Sequence, residues 1–577
     1  MAVDETAVVV LTPAALEAAQ RIVAAIPGAR LHGLAGRVDA EVPFTETAAH
    51  LRALFDANIP IVGVCAAGIL VRTLGPHCAA KWSEPPVLAV ALDGSAVVPL
   101  LGGHHGANRL AVQVAEALGG RAVLTTAGDL ALGVALDDPP PGWHVANPEA
   151  AKSVTAALLA GQPVRLEVEA GDATWLSHLP FADEADLAVR ITDRDAVPPE
   201  DGELVLHPPV LVLGVGCERG TEASELIADT RAVLAAEALA PASVACVASI
   251  DLKADEPAVH ALAAALGVPA RFFSATELEA HAAGLKNPSD VVFAETGCHG
   301  VAEGAVLAAG TELVVPKVKG RRTTVAVGRA AAVEPMRIGR ARGRLAVVGI
   351  GPGWEGWRSP QVSAAIAQAT DLVGYGMYLD LLGPAAAGKH RHESALGAEA
   401  DRARMALDLA AEGRSVALVC SGDPGIYALA TLVFELLERE AKAEWARLDI
   451  EVMPGISALQ AAAARAGAPV NHDFCTVSLS DLLTPWHSIE ARLKAAASGD
   501  FVVCLYNPVS KRRRDQLPQA RDILLSGRPA DTPVVLARQL GRPGETVEVI
   551  RLADLDADKV DMLTVVVVGS SETRRVG

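Results

Sequence analysis

Short continuous apolar runs alternate along the chain with stretches whose apolar residues recur at helical spacing. Residues 7–11, 59–65, 87–91, 96–101 and 122–126 read as strands. Helices are predicted over 13–26 and 66–76, and after the loop 102–111 up to Gly119 and Gly120. Thr12 and Pro13 mark the first helix start as N-cap and first-turn proline. The runs 87–91 and 96–101 join across Asp93 and Gly94 as a hairpin. After a proline-rich linker at 137–142, residues 152–208 read as a small β-rich insert, with alternation over 163–168. Strands follow at 210–214 and 244–249, and a glycine turn leads into an alanine-rich helix over 293–304. A basic linker at 337–344 precedes apolar strands at 345–350, 416–420 and 450–453, with helices over 360–370 and 399–412. Further strands are predicted within 501–508, 532–540 and 562–570. Buried strands separated by helices predict an α/β fold, with several α/β units in series. The expected boundaries are 1–138, 139–208, 209–332 and 343–577.

Composition and residue usage change the picture in several ways. Hydrophobic residues make up 51% of the chain but aromatics only 3%, so the cores must be built from Ala, Val and Leu. The net charge of −19 argues against nonspecific nucleic-acid binding, which needs a basic surface. No apolar run is long enough to span a bilayer, and the first residues are acidic and carry no signal-peptide core. The 8 cysteines include no CxxC pair, which fits free thiols in a reducing cytoplasm. No metal site is expected, because His77 and Cys78 lack ligand spacing.

Candidate chemistry sits where strands stop at glycine. The loop from Gly102 to Asn108 carries His104 and His105 ahead of a helix start. Helix-start amides there would attract an anion, and either histidine would serve as general acid or base. The alternative is a glycine turn capped by Asn108, with both histidines in solvent. In the unit from residue 209, Cys217 and Cys298 lie near predicted helix starts, which lower a thiol pKa, or else they pack as small residues. Glu218, Arg219, His299 and Glu303 are the polar candidates beside them. Towards the C-terminus, GIGPG, SGDPGIY and PGIS each end an apolar strand, so they gather along one sheet edge.

GIGPG, SGDPGIY, PGIS and the final strand after Thr564 resemble the tetrapyrrole methylase family. DFCTVSLSDLLTPW and YNPVSKRR are similar to the precorrin-3B C17-methyltransferases of cobalamin biosynthesis, cobalt-factor III enzymes included. The resemblance implies a two-lobed fold over 343–577, split near 453–468, with the active site in the cleft between the lobes. It implies S-adenosylmethionine as methyl donor, a tetrapyrrole substrate and a homodimer through the methyltransferase domain. Gly351, Pro352, Gly353, Ser421, Gly422, Asp423, Ile426, Tyr427, Ser457, Ala458, Asn507 and Thr564 would line the donor site. Asp481, Asp473, Tyr506 and Ser480 are the candidates for the proton movements of ring contraction, with Asp473 read equally as a cap. Lys511 to Arg514 would meet substrate carboxylates or form a solvated face.

GILVRTLGP, KWSEPPV and PLLGGHHGANRLA resemble the N-terminal domain of CbiG-type proteins, the cobalt-precorrin-5A hydrolases. GVGCERGT and ETGCHGVAEGA resemble their C-terminal domain. The resemblance implies a fused enzyme whose first half opens a lactone and releases acetaldehyde, with His104 and His105 in catalysis. Two other readings stay open: a first half that only carries tetrapyrroles, and a methylase acting on RNA or protein. The charge of −19 and the YNPVSKRR loop weigh against the second.

Overall fold

The computed structural model describes residues 6–78, 84–195, 202–395, 397–510 and 513–576. The chain forms two compact units. The first comprises Met1–Arg344 with Leu409–Arg414 and Ala443–Asp449, and the second comprises Leu345–Asp408, Ser415–Lys442 and Ile450–Gly577.

Three sheets build the first unit. A 7-stranded sheet runs in the order 42–44, 29–34, 6–10, 61–64, 87–90, 96–101, 121–122. It is parallel except for the hairpin pair of Val87–Val90 and Ala96–Leu101. Its central strands Thr6–Val10 and Ile61–Val64 are buried throughout, as strands covered by helices on both faces must be. The expected strand at 122–126 shrinks to Arg121–Ala122. A 4-stranded sheet follows, in the order 144–145, 203–207, 187–191, 164–168. The insert expected to be β-rich from 152 opens instead inside a helix, Pro148–Leu159, with proline in its first turn. Ala151, Val154, Ala157 and Leu158 form its buried stripe. The third sheet has 5 strands in the order 270–273, 244–250, 211–217, 323–329, 312–319. Phe293 lies within a helix, Asp290–Thr296, that ends at left-handed Gly297 before the alanine-rich helix Val301–Ala308.

The second unit holds two 5-stranded sheets, not one continuous sheet. Strands 390–394, 371–375, 415–420, 344–349 and 449–453 make the first, in that order. Strands 474–478, 502–506, 564–568, 533–538 and 546–551 make the second. Among the described residues, no helix is long and apolar enough to cross a membrane. The eight cysteines are free.

One buried contact in the first unit makes its stability depend on pH. His32 Nδ1 lies 2.9 Å from His50 Nε2, and the His50 ring stacks on Phe44 at 4.4 Å. Burial, helped by the neighbouring His32, pulls the His50 pKa from 6.5 down to about 4. Between those values the unfolded chain binds a proton that the native state refuses. His50 therefore costs no stability above about pH 6.5 and destabilises the native state as pH falls towards 4. We expect the melting temperature of wild type relative to His50→Asn to fall across this window. A difference that stays constant from pH 7 to 4 would contradict the lowered His50 pKa.

Candidate active site

Three loops of the second unit meet through their backbones. The strand Arg344–Gly349 runs beside Ser415–Cys420, and Ile350 N–H donates to Cys420 O at 3.0 Å. Gly351 and Gly422 then form an isolated two-way bridge, with Gly422 N–H to Gly351 O at 2.8 Å. Both sit at positive φ, +77° and +70°, which glycine adopts without strain. The third loop enters at Gly455. A Cβ there would lie 2.2 Å from Gly422 O and 2.5 Å from Gly349 O. A Cβ on Gly349 would lie 2.6 Å from Gly422 O and 2.7 Å from Gly455 N. Asp423 ties the same loops together: Oδ1 accepts from Gly425 N–H at 2.8 Å and Oδ2 from Gly455 N–H at 3.1 Å. Ile426 N–H bonds back to Asp423 O at 3.3 Å and closes the turn. Ser457 caps the helix Ala458–Ala466 in a capping box with Gln460.

The second sheet brings further residues to one edge. Phe474–Ser478 runs parallel to Val502–Tyr506, with Ser478 opposite Tyr506. Thr564–Val568 runs antiparallel to the latter, with Val566 opposite Leu505, so Asn507 and Thr564 share that edge. Tyr506 Oη accepts from Leu459 N–H at 3.1 Å, at the start of the capped helix. Burial pushes the Tyr506 pKa up, so the phenol stays protonated at neutral pH. Asn507, at φ +50°, donates from Nδ2 to Ser478 Oγ at 3.1 Å. Tyr427, at φ +52°, donates from Oη to Thr476 O at 3.0 Å, and its ring lies 5.2 Å from that of Tyr506. The buried Thr564 hydroxyl is held by Asp561 Oδ1 at 2.8 Å.

The acid and base candidates separate. Asp481 is exposed in the loop after Leu479, where Gln516 Nε2 donates to it at 2.9 Å and Arg513 Nε lies 3.8 Å away. Ser480 N–H turns back to Ser478 Oγ at 3.3 Å. Asp473 is not brought to this edge. It precedes its strand, and its carbonyl accepts from Val502 N–H, roughly 17 Å from Ser478 at about 3.3 Å per residue. Lys511 and Arg512 lie outside the described residues, whereas Arg513 donates to Leu479 O.

Arg542 is the residue that sequence reasoning missed. It lies in the turn after the Pro533–Arg538 strand, yet its Nε donates to Pro352 O at 2.7 Å. Its two terminal nitrogens donate to Met377 Sδ and Ser421 Oγ, both at 3.2 Å. A Cβ on Gly353 would lie 2.4 Å from Arg542 Cγ, so this close approach needs glycine. No strand-glycine-helix pattern marks the position; only the packing of the two loops does.

In the first unit, Gly102 and Gly106 take φ of +75° and +85° on either side of the histidines. A Cβ on Gly102 would lie 2.4 Å from Pro85 O. His105 is exposed ahead of the helix Ala107–Leu118, and the His104 side chain lies outside the described residues. Asn108 does not cap this helix: Gly106 is the N-cap, and Asn108 Nδ2 donates to Thr126 Oγ1 at 3.0 Å. Arg109 pairs with Asp138 at 3.1 Å. Farther along, Cys298 is fully buried, and burial pushes the Cys217 thiol pKa up. Glu303 accepts from Lys286, Asn287 and Lys317, and His299 Nδ1 lies 2.8 Å from Glu279. Glu218 pairs with Arg322 at 3.0 Å, and Arg219 with Asp255 at 2.6 Å.

Residues 344–556 match the family of tetrapyrrole (corrin/porphyrin) methylases. Residues 49–129, 140–208 and 211–328 match the N-terminal, central and C-terminal families of cobalamin synthesis protein G. A precorrin-3B C(17)-methyltransferase of Sinorhizobium is 45% identical over 234 residues, which are 41% of this chain and 91% of that protein. The cobalamin biosynthesis protein CobIJ of Mycobacterium tuberculosis is 45% identical over 236 residues, 40% of this chain. The chain spans only 45% of the length of that relative. The solved methyltransferase CobJ is 45% identical, with 41% of this chain aligned to 97% of that one at a TM-score of 0.39.

Proposed function

The chain belongs to the tetrapyrrole (corrin/porphyrin) methylase family, and we propose that it methylates precorrin-3B or cobalt-factor III at C17 in cobalamin biosynthesis, with ring contraction. The observation that carries this reading is the stack of Gly349, Gly422 and Gly455, which packs three loop backbones at one edge. Glycine at these positions lets the three backbones pack against one another and brings the ends of their strands to one edge, where S-adenosylmethionine would bind. When bound, that donor supplies a methyl group on a sulfonium, an electrophile that needs no activation. The residues of the chain then have positional work. Ser421, Asp423 and Ser457 hold the loops, and Tyr506 fixes the start of the helix Ala458–Ala466. Its protonated phenol orients rather than abstracts a proton. To Asp481, which has Arg513 and Gln516 beside it, we assign the proton movement of contraction. We assign the reaction to the cytoplasm and to a homodimer formed through the methylase domain.

The first half is assigned lactone opening by the loop 102–108, where His104 or His105 acts as the base and the helix start holds the developing anion. A second reading, tetrapyrrole carriage without hydrolysis, draws on the unit that follows. There Cys217 is raised, Cys298 is buried, and the acceptors of Glu303 are filled, so none is poised for attack.

One reaction series separates these readings. The full chain, given S-adenosylmethionine and precorrin-3B with or without cobalt, should yield the methylated, ring-contracted pigment by mass spectrometry. Lactone substrate should release acetaldehyde, and a His104→Ala, His105→Ala double variant should lose that release while keeping methyl transfer. Pigment binding without acetaldehyde favours carriage, and absence of methylation overturns the methylase assignment.

A further inference from the structure

Arg542 is a half-buried cation whose hydrogen-bond partners, among the described residues, are all neutral: Pro352 O, Met377 Sδ and Ser421 Oγ. Burial pulls its pKa below the usual arginine range, with Tyr378 acting in the opposite sense. Other arginines of the second unit divide: buried Arg402 and Arg528 donate to a hydroxyl and to backbone carbonyls, whereas exposed ones meet anions. Arg538 pairs with Asp561 at 2.6 Å and Arg465 with Glu545 at 2.7 Å. Two acids of neighbouring turns are committed elsewhere: Glu545 to Arg465 and Gly541 N–H, and Asp423 to Gly425 and Gly455. Taking a guanidinium out of water is costly unless an anion meets it.

The position of this cation is fixed. A Cβ on Gly541 would lie 2.4 Å from Trp354 N, so the turn carrying Arg542 rests directly on the loop that follows Gly351. Each terminal nitrogen makes one bond and has a second N–H with which to meet a carboxylate. Two exposed apolar groups flank it: Met377 is 37% exposed and touches the guanidinium, and Trp354 is 51% exposed. A flat apolar ring bearing carboxylates on its rim matches this pairing of apolar surface and unneutralised cation.

We propose that Arg542 binds a peripheral carboxylate of the tetrapyrrole and so determines which edge of the macrocycle meets the methyl donor. The inference rests on the tetrapyrrole reading above. A carboxylate of the methyl donor has the same chemistry, so the test separates the two sources.

The full chain is titrated with uroporphyrin III, which bears carboxylates all round, and with its neutral octa-amide, by fluorescence quenching. S-adenosylmethionine is titrated separately by calorimetry. Wild type should prefer the acid, and Arg542→Gln should weaken acid binding by roughly ten-fold or more while leaving the amide unchanged. Arg542→Lys, which keeps charge but not the paired nitrogens, should fall between them. S-adenosylmethionine affinity should fall far less than acid binding in both variants, because Arg542 reaches the donor loops only through Pro352 O and Ser421 Oγ. Loss of S-adenosylmethionine binding with unchanged porphyrin binding would overturn the assignment in favour of the donor carboxylate. Equal acid binding by wild type and both variants would overturn it outright. Failure of wild type to bind either porphyrin would instead remove the tetrapyrrole reading on which it stands.

Discussion

Gly455→Ala is expected to weaken S-adenosylmethionine binding by roughly 1–3 kcal/mol, about five- to 150-fold, because overpacking of that size shifts backbone. The added methyl would lie 2.2 Å from Gly422 O and 2.5 Å from Gly349 O. Both neighbours are main-chain oxygens at the ends of buried strands, so neither can rotate aside as a side chain would. Relief must come from moving the 454–457 loop away from the other two, which breaks the bond from Gly455 N–H to Asp423 Oδ2. Gly425→Ala is the matched comparison in a neighbouring turn. Its Cβ would meet only Asp423 Oδ1, at 3.2 Å, and it should bind the donor almost as wild type does. Calorimetry on the two variants checks this. Equal losses in both would mean that general loop strain, not the stacked backbones, controls the site.

The glycine loops were legible because each stops an apolar strand, and a strand that ends at glycine is visible one residue at a time. What sequence could not supply was which strand ends face the same way. Asp473 and Asp481 stand in one motif, yet the strand Phe474–Ser478 lies between them and carries them to opposite ends of the sheet. A short strand spans an entire sheet width, so closeness along the chain gave the wrong neighbourhood for Asp473. Arg542 was invisible for the reverse reason. Its contact with Pro352 crosses 190 residues, and the turn that carries it follows a strand paired antiparallel on both sides. The helix Pro148–Leu159 did carry a local signal, proline in its first turn, which the search for alternating residues passed over. Asn108 shows the limit of cap reading: once Gly106 takes the N-cap in a left-handed conformation, the amide is released to reach Thr126.

Asp423→Ala removes both acceptors that join the SGDPGIY and PGIS loops, the Oδ1 bond to Gly425 N–H and the Oδ2 bond to Gly455 N–H. Charged acceptors of backbone N–H groups are worth more than neutral ones, so a loss of about 1–3 kcal/mol in S-adenosylmethionine affinity is expected. Asp423→Asn discriminates between charge and shape. One oxygen still accepts, but the amide nitrogen now faces the other N–H, donor against donor, so asparagine should recover little of the loss. Uroporphyrin binding should be unaffected in both variants, because Asp423 holds the backbone of the donor site and has no part in the cation at Arg542. The melting temperature should drop modestly, since the bonds tie loops and not core. Unchanged donor affinity in the alanine variant would place S-adenosylmethionine away from these loops. A loss in alanine but full recovery in asparagine would show that the carboxylate charge is dispensable and that a single acceptor suffices to hold the turn.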